Sequence, residues 1–73
     1  MNHYPIDFYI FESGIKRENQ TVVSCELPIV PQVGNEVVID IDEKTCIYTV
    51  KKVKIYTMFS NVEIEVVIKE GND

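Results

Sequence analysis

The sequence predicts an all-β domain, built as a five-stranded small barrel or a strongly bent antiparallel sheet. Three observations carry this. Isoleucine, valine, threonine and tyrosine are abundant while alanine is absent, which favours strands over helices. Apolar and polar residues alternate with period two in five separate runs. The alternation slips by one residue inside the longest run, at Lys51-Lys52, and such a slip is how a β-bulge reads in a sequence.

The first strand is expected over about Ile6 to Glu12, with Phe8 and Ile10 on one face and Asp7, Tyr9 and Phe11 on the other. The second runs over about Gln20 to Leu27, with Val23, Cys25 and Leu27 inward and Val22, Ser24 and Glu26 outward. Then comes Pro28-Ile29-Val30-Pro31-Gln32-Val33-Gly34-Asn35. Its two prolines fix φ and keep the chain extended. Gly34-Asn35 supplies a turn, because both residue types tolerate positive φ. The third strand follows over about Glu36 to Ile41, with Val37, Ile39 and Ile41 inward and Val38 outward. The fourth is long, about Thr45 to Tyr56, and the fifth covers about Asn61 to Lys69, with Val62, Ile64, Val66 and Ile68 inward.

Two hairpins test the register. A four-residue turn at Asp42-Glu43-Lys44-Thr45 would oppose Ile41 to Cys46, Ile39 to Tyr48, Val37 to Val50 and Glu36 to Lys51. A turn at Thr57-Met58-Phe59-Ser60 would oppose Ile55 to Val62, Val53 to Ile64, Lys54 to Glu63 and Lys52 to Glu65. In both hairpins inward residues meet inward residues and opposite charges meet across strands. Tyr48, Val50, Val53 and Ile55 all point inward only if the fourth strand bulges and bends, which lets it serve two halves of a curved sheet. A long first loop, a proline-rich approach to the third strand and two tight hairpins give the order of an SH3-like barrel. Only four residues separate the third and fourth strands, which disfavours the barrel type that places a helix there.

The run Pro31-Gln32-Val33-Gly34-Asn35-Glu36-Val37, followed by Tyr48-Thr49-Val50-Lys51-Lys52-Val53, resembles a strand-entry pattern of short bacterial and phage proteins: proline, any residue, valine, glycine, an acidic or amide residue, any residue, valine. Asn35 stands where an acid is commoner, and it suits the turn equally well. The resemblance covers about Leu27 to Ile68 and implies an SH3-like small barrel. The shared residues are turn and core residues, so it implies no catalytic residue.

Seventy-three residues make a single domain, with an ordered core expected over about 6–69 and looser segments at Met1 to Pro5, Ser13 to Asn19 and Glu70 to Asp73. Roughly sixteen side chains should face inward, and a core that small leaves little surplus stability. The formal net charge of −5 disfavours non-specific binding to nucleic acid or anionic lipid. The opening residues lack a basic region followed by an apolar run, no apolar stretch approaches a membrane helix, and two cysteines make no disulfide framework. A cytoplasmic protein is the expectation.

The chemistry-bearing residues are few. His3 stands alone near the terminus, without the positioned partners that a base or metal ligand needs. Cys25 and Cys46 alternate with the inward set and read as buried free thiols. Asp40, Asp42 and Glu43 cluster, yet the loop lacks the further acids and mid-loop glycine of a calcium site. There is no Gly-rich phosphate loop, Ser-His-Asp set or CxxC pair, so no enzyme, cofactor or metal site is expected. Tyr9, Phe11, Val22 and Val38 are outward apolar residues. They are candidates for binding a protein partner or a second copy, unless Tyr4-Pro5 or the loop Ser13 to Asn19 covers them. Lys51, Lys52 and Lys54, with Tyr56 and Phe59, form the alternative surface for nucleic acid, unless Glu36, Glu63 and Glu65 neutralise the lysines. The leading expectation is a non-catalytic interaction or assembly module.

Overall fold

The computed structural model describes residues 3–69. Five strands appear in chain order: β1 (Tyr4–Ile10), β2 (Thr21–Leu27), β3 (Glu36–Ile41), β4 (Lys44–Tyr56) and β5 (Asn61–Ile68). They form one sheet in the order β2-β1-β5-β4-β3, curled into a half-barrel consistent with a small SH3-like barrel. The looser ends expected at Met1, Asn2 and Glu70 to Asp73 lie outside the described residues, whereas Tyr4 and Pro5 already belong to β1.

The sheet is mixed. β1 pairs antiparallel with β2, with Phe8 opposite Val23, and parallel with β5, with Phe8 opposite Ile64. Period-two alternation carries no information on strand direction, so the parallel step was invisible in sequence.

The β4–β5 hairpin has the expected register, with Ile55 opposite Val62, Val53 opposite Ile64, Lys54 opposite Glu63 and Lys52 opposite Glu65. The ladder shifts between Val50 and Lys52, which puts the bulge at Lys51 as the parity slip requires. The β3–β4 hairpin differs from expectation by two residues. Ile41 opposes Lys44, Ile39 opposes Cys46, Val37 opposes Tyr48 and Glu36 opposes Thr49. The turn is Asp42-Glu43 alone, both with positive φ, at 51° and 67°. Such a two-residue turn matches the right-handed twist of its strands. Because the shift is even, inward residues still meet inward residues. Glu36 does not face Lys51, and its carboxylate instead takes Lys69 Nζ at 2.6 Å.

The core lies on the concave face. Ile6, Phe8, Ile10, Ile39, Tyr48, Val50, Val62, Ile64 and Val66 are buried, and Val23, Leu27, Val30, Val37, Ile41, Cys46 and Val53 pack half-buried against them. Three inward expectations fail. Cys25, Ile55 and Ile68 are exposed, because the half-barrel stays open along β2 and at its ends and nothing lies over those positions. The segment between β2 and β3 partly closes the opening, with Val30 against the core and Pro31 buried. It docks on β4 through Gly34 N–H to Val50 O (3.0 Å) and Val50 N–H to Asn35 O (2.9 Å). Its turn is closed by Asn35 N–H to Gln32 O (2.9 Å) and Gln32 N–H to Asn35 Oδ1 (2.8 Å), with Gly34 at φ 95°. These bonds are the physical content of the Gly34-Asn35 signal.

Candidate functional site

Strand directions define two ends of the half-barrel. Tyr4 opposes Leu27, Ile6 opposes Val62 and Tyr56 opposes Asn61. So the start of β1, the end of β2 and the β4–β5 turn share one end. The other end holds the end of β1, the start of β2 and the Asp42-Glu43 turn.

The first end is apolar. The turn Thr57-Met58-Phe59-Ser60 carries Met58 and Phe59 at its tip, 85% and 72% exposed. Ile55 on the neighbouring arm is 65% exposed, Ile29 just past β2 is 70% exposed and Tyr4 is 47% exposed. Turn tips ordinarily carry Gly, Asn, Asp or Pro, so an exposed Met-Phe tip is not explained by turn chemistry. A groove of about 440 Å³ continues this end, lined by Leu27, Pro28, Ile29, Pro31 and Val37 with Asn35 and Glu36 at its edge. Sequence reasoning missed Ile29, Ile55 and Met58. The one usable signal was an apolar pair at the centre of a predicted turn.

The second end is polar at its rim. A cleft of about 350 Å³ has Ile10, Ile41, Cys46 and Tyr48 below and Glu12, Thr21, Asp42 and Lys44 around it. Burial first, and then the neighbouring Cys46, pushes the Tyr48 phenol above its ordinary range. Asp40 of the acidic cluster accepts a hydrogen bond from Thr45 Oγ1 at 2.5 Å. No three His, Cys, Asp or Glu side chains among the described residues converge closely enough to hold a metal ion.

The convex face carries the partner candidates. The register sets Val22 opposite Tyr9 and Val38 opposite Ile47, and Phe11 N–H bonds Val66 O at 2.8 Å, which seats Phe11 beside Val67. These residues follow one another diagonally across the sheet from edge to edge. Phe11, Val22, Val38 and Ile47 are exposed. Tyr9 is half-buried, because the loop Ser13 to Asn19 forms a short 3-10 turn at Arg17–Asn19 and sets the Arg17 guanidinium 4.6 Å from the Tyr9 ring centre. That loop is therefore fastened where a loose segment was expected. Gln20, buried at its end, also donates to Ile15 O at 3.3 Å.

The lysine surface lies beside it. Arg17 bonds Glu63 at 2.9 Å and Tyr56 Oη donates to the same carboxylate at 3.2 Å. Burial and the Glu63 charge together raise the Tyr56 phenol above its ordinary range. The ion pairs among the described residues are Arg17–Glu63 and Lys69–Glu36, so Lys51, Lys52 and Lys54 have no carboxylate within ion-pair distance there. Of the neutralisation expected from Glu36, Glu63 and Glu65, Glu63 and Glu65 face Lys54 and Lys52 in the ladder without an ion pair among the described residues, and Glu36 faces none of the three lysines. Lys52 and Lys54 border a shallow hollow with Tyr9, Arg17, Glu63 and Glu65. Phe59 is at the turn tip and His3 is exposed.

The fold and these surfaces define a small all-β half-barrel domain with one apolar end. No family model, curated protein or solved structure matches the chain. No helix among the described residues is long and apolar enough to cross a membrane.

Proposed function

We propose that this chain is a non-catalytic protein-interaction or assembly module that docks through the apolar end of its half-barrel. One observation carries the reading: the β4–β5 turn presents Met58 and Phe59 to solvent, at the end of the half-barrel that also carries exposed Ile55, Ile29 and Tyr4. Large apolar side chains left exposed together at one end of a domain cost solubility and typically mark a contact site. The partner this surface fits is a protein with an apolar pocket and an acidic rim, since Lys51, Lys52 and Lys54 follow on the same hairpin without ion pairs among the described residues. The convex residues Phe11, Val22 and Val38, with Tyr9 beneath Arg17, are a second contact face of the same module.

A second reading rests on those same lysines. With Tyr56 and Phe59 they would form a nucleic-acid surface, and binding would then fall steeply with salt.

The experiment compares baits in a lysate of the host cell. Wild type is set against Met58→Asp/Phe59→Asp, Phe11→Asp/Val38→Asp and Lys51→Glu/Lys52→Glu, each first shown to be folded by circular dichroism. The expected result is a stoichiometric protein retained by wild type and lost with Met58→Asp/Phe59→Asp. Equal retention by those two baits overturns the apolar end as the docking site. Loss with Phe11→Asp/Val38→Asp alone transfers the contact to the convex face. A nuclease-sensitive eluate that leaves with salt and is lost with Lys51→Glu/Lys52→Glu establishes the second reading instead.

A further inference from the structure

The sheet order leaves two edges, β2 and β3. Among the described residues, no loop backbone hydrogen bond goes to either strand. Natural edges are usually blunted by lysine, proline, a bulge or a cover. Neither β2 (Thr-Val-Val-Ser-Cys-Glu-Leu) nor β3 (Glu-Val-Val-Ile-Asp-Ile) has lysine, proline or a bulge. In this chain the bulge and Lys44, Lys51, Lys52 and Lys54 sit on the interior strand β4.

The two edges differ in charge. A twofold antiparallel pairing of β3 with its copy, centred on Val38, sets Glu36 against the copy's Asp40. Centred on Ile39, it sets Glu36 against the copy's Asp42. Both oppose acid to acid, and like charges directly across strands are destabilising. β2 carries one charge, Glu26. Centred on Ser24, its twofold pairing sets Val23 against Cys25, Val22 against Glu26 and Thr21 against Leu27, so all seven residues pair and no like charges meet. The same register keeps concave residues beside concave residues. It also covers a strand that the monomer leaves bare, since every residue of β2 is exposed except the half-buried Val23 and Leu27.

We propose that β2 is a homodimerisation edge, where a second copy of this chain adds its own β2 antiparallel about a twofold axis at Ser24. The partner here is chosen by backbone hydrogen bonding and charge. It is independent of the docking proposed for the apolar end, and the twofold turns the two apolar ends away from each other.

The test uses the position on the axis. Wild type is run on size exclusion with light scattering over a range of concentrations, and the expected mass is twice the 8.4 kDa chain. Ser24→Lys places two like charges on the axis and should raise the dimer dissociation constant at least tenfold, as should Ser24→Glu. Mixing the two variants should restore a dimer, because the axis then holds a Lys–Glu pair. In the wild type, a short bismaleimide should join the two Cys25 thiols, which this register sets diagonally across the edge, about 7–8 Å apart between backbones. Cys25→Ser should abolish the cross-link. That second readout holds even where a Ser24 variant fails to fold. A wild type that stays monomeric up to millimolar concentration overturns the proposal. So does a dimer indifferent to the Ser24 charges, or a ladder of larger species that would signal head-to-tail β2–β3 pairing. Met58→Asp/Phe59→Asp should leave the dimer intact, which separates this edge from the docking end.

Discussion

The two ends of the half-barrel solve the same problem differently. Each must stop a bent sheet and cover the last layer of its core. At the polar end a two-residue Asp42-Glu43 turn closes tightly, and Glu12, Thr21 and Lys44 rim a cleft whose floor is core. At the apolar end a four-residue turn lifts Met58 and Phe59 into solvent and leaves Ile55 bare. Burial separates them most clearly. Tyr48 and Ile55 both belong to β4 and both face inward by pairing, yet one is buried and the other exposed. The core therefore draws on Tyr48 at the polar end and leaves Ile55, Met58 and Phe59 exposed at the other, which is the observation behind the docking proposed for that end.

The sharpest way to break this contrast is to truncate both residues. Tyr48→Ala should cost about 3 kcal/mol or more in chemical denaturation and, in so small a domain, abolish cooperative unfolding near room temperature. Ile55→Ala should change stability by less than about 0.5 kcal/mol. Equal losses at the two positions would mean that the apolar end is core after all. Next in size are the turns. Glu43 and Ser60 sit at φ 67° and 57°, where a side chain is disfavoured. Glu43→Gly and Ser60→Gly should each stabilise by no more than about 1 kcal/mol, the relief of the left-handed backbone less the chain entropy that glycine adds. Gly34→Ala should destabilise by about 1 kcal/mol, because φ is 95° and the position is otherwise open. A gain at Ser60 with partner capture unchanged would show that the apolar end acts through its side chains and not through the strain of its turn. Smaller still, Lys69→Ala should cost no more than about 1 kcal/mol, with the loss fading in high salt, since this ion pair is half exposed.

The smallest effect is a matter of rate. Partial burial first, and then the Asp7 carboxylate, holds the Cys25 thiol above its ordinary range. Alkylation of Cys25 should therefore rise with pH later than that of a free thiol. Asp7→Asn should move the midpoint down, and an unmoved midpoint would leave burial as the whole cause.

The bulge was legible at Lys51-Lys52 because two inward pairs on one strand, Tyr48/Val50 and Val53/Ile55, demand opposite parity. The β4–β5 register was legible because charges and apolar residues both select it. The β3–β4 turn was not, because registers two residues apart satisfy the same face pattern, and only the positive φ of Asp42 and Glu43 separates them. Exposure at Cys25, Ile29 and Ile55 was not legible either. Alternation tells which face a residue takes. It does not tell whether anything lies over that face, and here the open half-barrel decides. The site candidates fared the same way: Val38 and Val22 are exposed as outward residues should be, while Tyr9 is covered by Arg17, whose partner carboxylate Glu63 lies 46 residues away in β5.

The parallel ladder between β1 and β5 has a kinetic consequence. β1 with β2 occupies one contiguous stretch of chain, and β3 with β4 and β5 occupies another. Across the sheet they meet only where Ile6 to Ile10 run beside Val62 to Val66. A hairpin and a three-stranded meander can each form from neighbours in sequence, whereas their joining must wait for the most distant contacts in the molecule. The topology thus predicts a two-part zip whose last step joins β1 to β5 in the middle of the sheet. Nicking the segment from Pro28 to Asn35 leaves two fragments whose reassembly, and its dependence on concentration, would time that step directly.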